Sequence, residues 1–138
     1  MINAGIVGLG WWGQNLVNSV QDKSESIKFR AGAVRHPDKV VEFSQKNHLE
    51  MYSSYDQMLS EADIDSVVLA TPHSIHAEQM MNAISAGKHI YCEKPFTMNK
   101  SDAEKVITEA NKAIGKIIPK KVGNNKSIKY PNKASESP

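Results

Sequence analysis

Three glycines, at positions 8, 10 and 13, follow a short apolar segment and constrain the fold more than any other feature of the chain. In this spacing the first glycine permits a tight turn, the second leaves room beside the backbone, and the third allows a helix to pack closely. Apolar residues then recur at helical spacing over Gln14–Val20. We therefore predict a strand, a turn and a helix, with the turn binding the pyrophosphate of a dinucleotide.

The residues assigned to this phosphate site are Gly8, Gly10, Trp11, Trp12 and Gly13. The two tryptophans lie inside the turn, where their indoles could line a cofactor channel. Packing against the rest of the domain is the alternative for either ring, and the sequence does not decide between them.

Strand-like and helix-like segments alternate along the chain and predict an α/β fold built on a doubly wound parallel sheet. Ser54, Ser74 and Ser101 are predicted N-caps of successive helices. Gly115 should end the last helix before a sixth strand at 116–118. We assign residues 1–118 to one domain and 119–138 to a basic, disordered tail; the predicted strands are Ile2–Val7, Ile27–Val34, Met51–Tyr52, Asp65–Ala70 and His89–Cys92.

Composition excludes several classes of protein. No apolar run approaches the roughly 20 residues of a membrane helix, and the first residues do not resemble a signal peptide. The single cysteine, Cys92, excludes an internal disulfide and favours a reducing compartment, so we expect a cytoplasmic protein.

Residues 116–138 hold six lysines, one glutamate and no arginine. A solvated tail explains them better than a nucleic-acid arm, and no nucleic-acid partner is expected.

The end of the second predicted strand bears on the choice of cofactor. An NAD site usually has an acidic residue there that bonds the ribose 2′-hydroxyl. Here the nearest charged residue is Arg35, and a guanidinium suits a 2′-phosphate. We predict NADP or NAD as the cofactor, with NADP slightly favoured. A surface arginine in a protein that accepts both cofactors is the alternative.

Two later strand ends supply the remaining candidates. Thr71, Pro72 and His73 follow the fourth predicted strand and should lie beside the nicotinamide half of the cofactor. His76 is a candidate catalytic residue in the substrate pocket, with a structural role at the helix start as the alternative. No carboxylate or cysteine stands at ligand spacing from these histidines, so no metal site is predicted.

Lys94 follows the fifth predicted strand and is the main catalytic candidate. Removing hydride from an alcohol carbon requires the hydroxyl proton to leave, and a lysine at the pocket edge can donate to that oxygen and relay its proton. Glu93 could orient this lysine and is assigned, with Lys94, to the cofactor site. Pro95 should stiffen the turn. No base is apparent beside Cys92, which argues against a thiol nucleophile.

Three segments together resemble the Gfo/Idh/MocA oxidoreductases. They are Gly-Leu-Gly-Trp-Trp-Gly at 8–13, Ala-Thr-Pro-His-Ser-Ile-His at 70–76 and Ala-Gly-Lys-His-Ile-Tyr-Cys-Glu-Lys-Pro at 86–95. The resemblance covers residues 2–118 and implies a Rossmann fold that binds NAD or NADP, with Lys94 at the position of the family's active-site lysine. His73 replaces the asparagine usual after the Thr-Pro pair.

The resemblance also implies a second, mixed-sheet domain of some 200 residues, which would supply substrate contacts and usually an oligomer interface. This chain resembles the N-terminal domain only, so we expect the second domain to be absent and leave an oligomeric assembly open.

Two functions compete. One is hydride transfer between a nicotinamide cofactor and a sugar or polyol; the alternative is a non-catalytic dinucleotide-binding module or truncated remnant. Whether the chain alone is an enzyme is therefore left undecided.

Overall fold

The computed structural model describes the backbone of residues 1–121 and the side chains of residues 1–114. Five strands form its central sheet: β1 (Ile2–Val7), β2 (Ile27–Ala33), β3 (Glu50–Tyr52), β4 (Ser66–Leu69) and β5 (His89–Cys92). Their order across the sheet is β3-β2-β1-β4-β5, and every neighbouring pair is parallel. The predicted doubly wound parallel sheet is confirmed.

Five α-helices connect the strands or follow them. They are α1 (Trp11–Val20), α2 (Val41–Lys46), α3 (Tyr55–Glu61), α4 (His76–Ser85) and α5 (Lys100–Lys121). Short 3-10 turns at Pro37–Val40 and His73–Ile75 lead into α2 and α4. Each helix therefore follows a strand, as the parallel arrangement requires. Within the described residues, no helix combines the length and apolar character needed to cross a bilayer.

Apolar side chains form two separate cores, one on each face of the sheet. Val17 of α1 packs with Ile6 and Phe29 in the first core. Met58 of α3 and Met80 of α4 belong to the second. Burying one such side chain contributes about 1.5–3 kcal/mol, so the two cores hold helices firmly on both faces. This packing gives the carboxyl edge of the sheet a rigid support.

The starts of two helices differ from the sequence prediction. Helix α1 begins at Trp11 and not at Gln14, because Gly10 adopts an extended N-cap conformation directly before it. Helix α4 begins at His76 after the 3-10 turn, so Ser74 is not its cap. Ser54 does cap α3 as predicted, since its hydroxyl accepts a hydrogen bond from the Gln57 N–H at 3.1 Å.

The last described helix, α5, differs more from the sequence prediction. Asn99, not Ser101, caps the start of α5, because its side-chain oxygen accepts a hydrogen bond from the Asp102 N–H at 2.9 Å. The helix then continues to Lys121, so the predicted stop at Gly115 and strand at 116–118 are wrong. A single glycine inside a helix costs only about 1 kcal/mol relative to alanine and does not force an end. The domain boundary placed after residue 118 falls inside α5, and most of the predicted tail, residues 122–138, lies outside the described residues.

Candidate functional site

The carboxyl ends of four strands are aligned at one edge of the sheet. Val7 lies opposite both Ala33 and Leu69, and Leu69 lies opposite Cys92. Just past the end of β1, the Gly8 N–H donates to the Ala33 carbonyl oxygen at 3.1 Å. The order of the strands along the chain reverses between β1 and β4. Open α/β sheets bind ligands at such a reversal, outside the carboxyl ends of the strands.

Two of the three glycines are required by the protein itself. Gly8 has φ +90°, and a Cβ placed on it would lie 2.5 Å from the Ala70 carbonyl oxygen. A Cβ on Gly13 would lie 2.0 Å from the Gly8 carbonyl oxygen. Neither distance is tolerated by a real side chain. The turn and the first turn of α1 therefore close on each other only because both positions lack a side chain.

Gly10 is different, because no atom other than those of Gly10 and its two chain neighbours lies within 4 Å of a Cβ placed on it. No side chain caps the helix at Gly10, and the first intrahelical bond runs from the Gln14 N–H to the Gly10 carbonyl oxygen at 3.0 Å. The N–H groups of Trp11, Trp12 and Gly13 precede that bond. They form a helix N-terminus next to open space, which is the arrangement that binds a phosphate.

A groove of about 680 Å³ runs along this edge of the sheet. Its volume lies within the range of roughly 300–1,000 Å³ that is usual for cofactor and ligand sites. The walls come from the glycine turn and from the segments that follow β2, β3 and β4. The residues lining it are Val7, Gly8, Leu9, Gly10, Ala33, Val34, Arg35, His36, Lys39, Val40, Ser53, Ser54, Tyr55, Ala70, Thr71, Pro72, Ile75 and Gln79.

One part of the groove is basic. Arg35, His36 and Lys39 line it beyond the end of β2, and Arg35 and Lys39 are both exposed. No aspartate or glutamate is among the described residues that line the groove. A phosphate group at this position would therefore meet cations and no carboxylate, which agrees with the reasoning that assigned Arg35 to the cofactor.

Polar groups at the opposite wall are joined by hydrogen bonds. The Thr71 hydroxyl donates to the side-chain oxygen of Gln79, and the Tyr55 hydroxyl donates to the Gln79 carbonyl oxygen at 2.8 Å. Burial raises the pKa of Tyr55 far above its ordinary value, so this hydroxyl stays protonated and keeps donating. The bonds hold Thr71, a predicted cofactor residue, in a defined orientation at the wall of the groove.

Sequence reasoning missed several of these residues. Ser53 and Ser54 follow β3 at the same edge, and applying the strand-end rule to that short strand would have found them. Lys39 could have been found from its position in the segment after β2. His36 could have been found in the same way, because it directly follows Arg35 after β2. Tyr55 and Gln79 carry no local signal, because each is brought to the groove by the packing of its own helix.

Of the predicted cofactor residues, the two tryptophans do not line the groove. Trp11 is 78% exposed and Trp12 is 46% exposed. Their ring centroids lie 5.8 Å apart, so the indoles pack against each other at the start of α1. Neither indole is buried in the domain. A direct role in cofactor binding stays a prediction for both.

The two histidines after β4 have opposite environments. His73 is exposed in the 3-10 turn, whereas His76 is completely buried. The Nε2 atom of His76 lies 2.9 Å from the Thr71 carbonyl oxygen, and its Nδ1 atom lies 2.9 Å from the Pro95 carbonyl oxygen. With both ring nitrogens engaged and no exposed surface, His76 has no free nitrogen for a substrate. This position argues against the predicted catalytic role and in favour of the structural alternative.

Lys94 lies just beyond the end of β5. The Glu93 N–H donates to the Leu69 carbonyl oxygen at 3.1 Å, which carries the sheet one residue further. Lys94 is the next residue; its side chain is exposed, and the peptide bond to Pro95 is cis. The Glu93 carboxylate accepts a hydrogen bond from the Tyr91 hydroxyl at 3.1 Å, and this bond raises the pKa of Tyr91. Lys94 thus stands at the same sheet edge as the glycine turn, outside the groove described above.

The neighbouring thiol is not activated. Cys92 is half-buried, and burial, reinforced by the charge of Glu93, raises the pKa of its thiol to about 11. A nucleophilic cysteine needs a lowered pKa, so this environment agrees with the sequence argument against a thiol nucleophile. Within the described residues, no group of three or more histidine, cysteine, aspartate or glutamate side chains is placed to hold a metal ion.

Comparison with known proteins identifies the family. Residues 2–119 match the family described as "Oxidoreductase family, NAD-binding Rossmann fold". The chain belongs to the Gfo/Idh/MocA oxidoreductases. This confirms the resemblance recognised in the sequence, and the family description assigns residues 2–119 to an NAD-binding Rossmann fold.

Several relatives within this family support the assignment. The chain is 32% identical to the scyllo-inositol 2-dehydrogenase (NADP(+)) of Bacillus subtilis, over 86% of this chain and 36% of that protein. It superimposes with a TM-score of 0.77 on a scyllo-inositol dehydrogenase from Lactobacillus casei with bound NAD(H) and scyllo-inositol, at 28% identity over 83% of this chain and 34% of the other. A 3-ketoreductase from Actinomadura kijaniata, in complex with NADP and TDP-benzene, gives a TM-score of 0.75 at 27% identity, over 81% of this chain and 34% of the other.

The chain therefore spans about a third of the length of the relatives that it matches. The matched third is the dinucleotide-binding domain. These relatives are named as two scyllo-inositol dehydrogenases and a 3-ketoreductase, and the cofactors in their names include both NAD(H) and NADP.

Proposed function

We propose that this domain binds NADP in preference to NAD, in the groove along the carboxyl edge of the sheet. The observation that carries the proposal is the open space at Gly10 beside an uncapped helix N-terminus. The pyrophosphate would lie there. Arg35 and Lys39 would contact a 2′-phosphate on the adenosine ribose, because they are the cations that line the groove after β2.

We further propose that the domain serves hydride transfer between the cofactor and a hydroxyl or carbonyl carbon of a sugar or polyol. When bound, the nicotinamide accepts or supplies the hydride. Thr71, Pro72 and His73 would lie along the nicotinamide half, since they follow β4 at the point where the strand order reverses. Relatives named as scyllo-inositol dehydrogenases support the polyol part of this substrate class.

Lys94 is the residue proposed to act on the substrate oxygen. During reduction of a carbonyl, its ammonium group would donate a proton to the oxygen as negative charge develops there. During oxidation of an alcohol, the unprotonated amine would take the hydroxyl proton. The exposed position of Lys94 beyond β5 leaves it free to reach a substrate held over the nicotinamide.

A second candidate function is a dinucleotide-binding module without catalysis of its own. The exposure of Lys94 favours it, because nothing in the described residues encloses a substrate beside this lysine. Enclosure from water strengthens the electrostatic contacts that a hydride-transfer site uses. The two functions share the cofactor groove and differ in whether turnover occurs.

One experiment tests both. Titration with NADPH and NADH, followed by the fluorescence of the reduced nicotinamide, measures the two affinities. Turnover is then assayed with each oxidised cofactor against a panel of inositols, hexoses and their keto forms. Tighter binding of NADPH with substrate-dependent turnover supports hydride transfer. Binding without turnover on any member of the panel supports the non-catalytic module, and no binding of either cofactor overturns both.

The remaining expectations concern the setting of the protein. We propose a cytoplasmic location, because a chain with a single cysteine cannot form an internal disulfide and fits a reducing compartment. We propose small-molecule partners and no nucleic acid. Size-exclusion chromatography with light scattering would determine whether the chain forms an oligomer.

A further inference from the structure

His76 is the most completely buried polar side chain of the domain, with 0% of its surface exposed. Its ring lies between two loops that are distant in sequence. The Thr71 carbonyl oxygen lies 2.9 Å from Nε2, and the Pro95 carbonyl oxygen lies 2.9 Å from Nδ1. A completely buried imidazole at the start of a helix is costly to place unless its polar atoms meet polar partners, and here each ring nitrogen faces a carbonyl oxygen.

The chemistry of these two contacts is specific. Both partners are backbone carbonyl oxygens, which accept hydrogen bonds and cannot donate them. The ring nitrogen that carries an N–H therefore donates to the carbonyl oxygen that it faces, and the tautomer decides which of the two oxygens that is.

The two loops that His76 joins both belong to the site. Thr71 lines the cofactor groove and is held on its other side by Gln79. Pro95 directly follows Lys94, so the carbonyl that His76 holds lies one residue beyond the proposed catalytic lysine. Because Lys94 is exposed, its own side chain has little to hold it in one place. The position of its backbone then decides where its amino group can reach.

We propose that His76 is a positioning residue, which bridges the Thr71 and Pro95 carbonyl groups and thereby fixes Lys94 at a set distance from the cofactor groove. The bridge is a separate feature from the sheet hydrogen bonds, because it joins the loops beyond the ends of β4 and β5. It rests on the proposed function in one respect, namely that the cofactor lies beside Lys94.

The competing explanation is that His76 merely fills space in the second core. Two substitutions distinguish these explanations. His76→Phe keeps an aromatic ring of similar size and removes both ring nitrogens, whereas His76→Gln keeps one donating amide group. Met80→Val is the matched control, since Met80 lies one turn further along α4, is equally buried, and bonds to neither loop.

The first readout is nuclear magnetic resonance of the protein without cofactor. Long-range proton–nitrogen spectra of the His76 ring identify the nitrogens that carry protons, and amide relaxation measures the order of Lys94 and Phe96. We expect ring protons shielded from exchange, and a loss of order at both amides in His76→Phe. His76→Gln should lose less order, and Met80→Val should keep it. Unchanged order in His76→Phe, or a ring without a shielded proton, overturns the bridge.

The second readout follows the lysine itself. Reductive methylation with ¹³C-formaldehyde labels the amino groups, and the Lys94→Arg variant assigns the Lys94 signal. In the unsubstituted protein this signal should shift when NADP binds, and in His76→Phe most of that shift should be lost while Met80→Val retains it. A full shift in His76→Phe overturns the inference. An absent shift in the unsubstituted protein contradicts the proposed place of the cofactor, and the relaxation data then still decide the bridge.

Discussion

A side chain on Gly13 would begin 2.0 Å from the carbonyl oxygen of Gly8. The first turn of α1 is thus pressed against the turn that leaves β1, and only hydrogen atoms fit between them. A Cβ on Gly10, which lies between the two in sequence, would have no atom within 4 Å apart from those of Gly10 and its chain neighbours. The three glycines of this motif therefore have different roles. Gly8 and Gly13 allow the turn and the helix to pack closely, and Gly10 leaves open space in front of the helix.

This difference predicts that substitution of Gly10 impairs NADP binding, whereas substitution of Gly13 impairs stability. Gly10→Val should abolish NADP binding, because its side chain fills the space proposed for the pyrophosphate, and should cost at most about 1 kcal/mol of stability as a poorer N-cap. Gly13→Ala should lower the free energy of unfolding by about 1–3 kcal/mol through overpacking. Calorimetric titration and thermal unfolding measure the two effects. Unchanged NADP affinity in Gly10→Val would remove the phosphate assignment.

Arg35 should account for most of the preference for NADP over NAD. Arg35→Ala removes a charge-assisted contact to the 2′-phosphate, which we expect to weaken NADP binding by about 1.5–3 kcal/mol and to leave NAD binding nearly unchanged. Lys46→Ala is the control, because Lys46 is an exposed cation at the end of α2 and does not line the groove. Equal affinities of the unsubstituted protein for NADP and NAD would contradict the assignment.

Lys94, which is assigned both to catalysis and to the cofactor site, is predicted to matter far more for proton transfer than for cofactor affinity. In any form of the protein that catalyses turnover of a substrate, Lys94→Ala should lower kcat by about 10²–10⁴-fold, the usual contribution of a general acid–base residue. Lys94→Arg should restore little activity, since a guanidinium keeps the charge and does not release its proton. Fluorescence titration of all three proteins should show a change in NADPH affinity that is much smaller than the change in kcat. Retention of kcat in Lys94→Ala would assign the proton transfer to another group.

Cys92 should be unreactive in the folded protein. Its thiol pKa rises from the ordinary 9.0 to about 11, so the thiolate fraction at neutral pH falls roughly 100-fold and alkylation by iodoacetamide should slow accordingly. Between pH 9.0 and about 11 the thiol is ionised in the unfolded chain and still protonated in the folded one, so unfolding releases a proton. The contribution of this thiol to the free energy of unfolding therefore falls as pH rises through that range. Alkylation rates measured against pH, with the urea-unfolded chain as control, test this. Equal folded and unfolded profiles would contradict it.

Much of the fold was predictable from local patterns. The apolar run that forms β4 and the glycine turn after β1 are set by residues close together in sequence, and the strand-end rule then places Arg35 and Thr71 at one edge. Lys94 follows the same rule after β5. For these elements, sequence and structure agree because the signal and the structure are both local.

The end of α5 and the environment of His76 were not predictable in this way. A glycine such as Gly115 signals a helix end only weakly, because its local cost is small enough for neighbouring turns to outweigh it. His76 looked like a pocket residue because its motif places it beside Thr71. Its ring is buried instead, because α4 packs on the sheet and brings Pro95, nineteen residues away, within 2.9 Å of Nδ1.

The sequence by itself determined that a parallel α/β sheet forms and that a dinucleotide-type turn follows its first strand, since spacing and polarity along a few residues suffice for both. Only the tertiary structure decided which glycine faces open space, which cations share the groove and which histidine is enclosed. Those properties depend on distances between atoms that the chain brings together from separate elements, and local sequence patterns do not encode such distances.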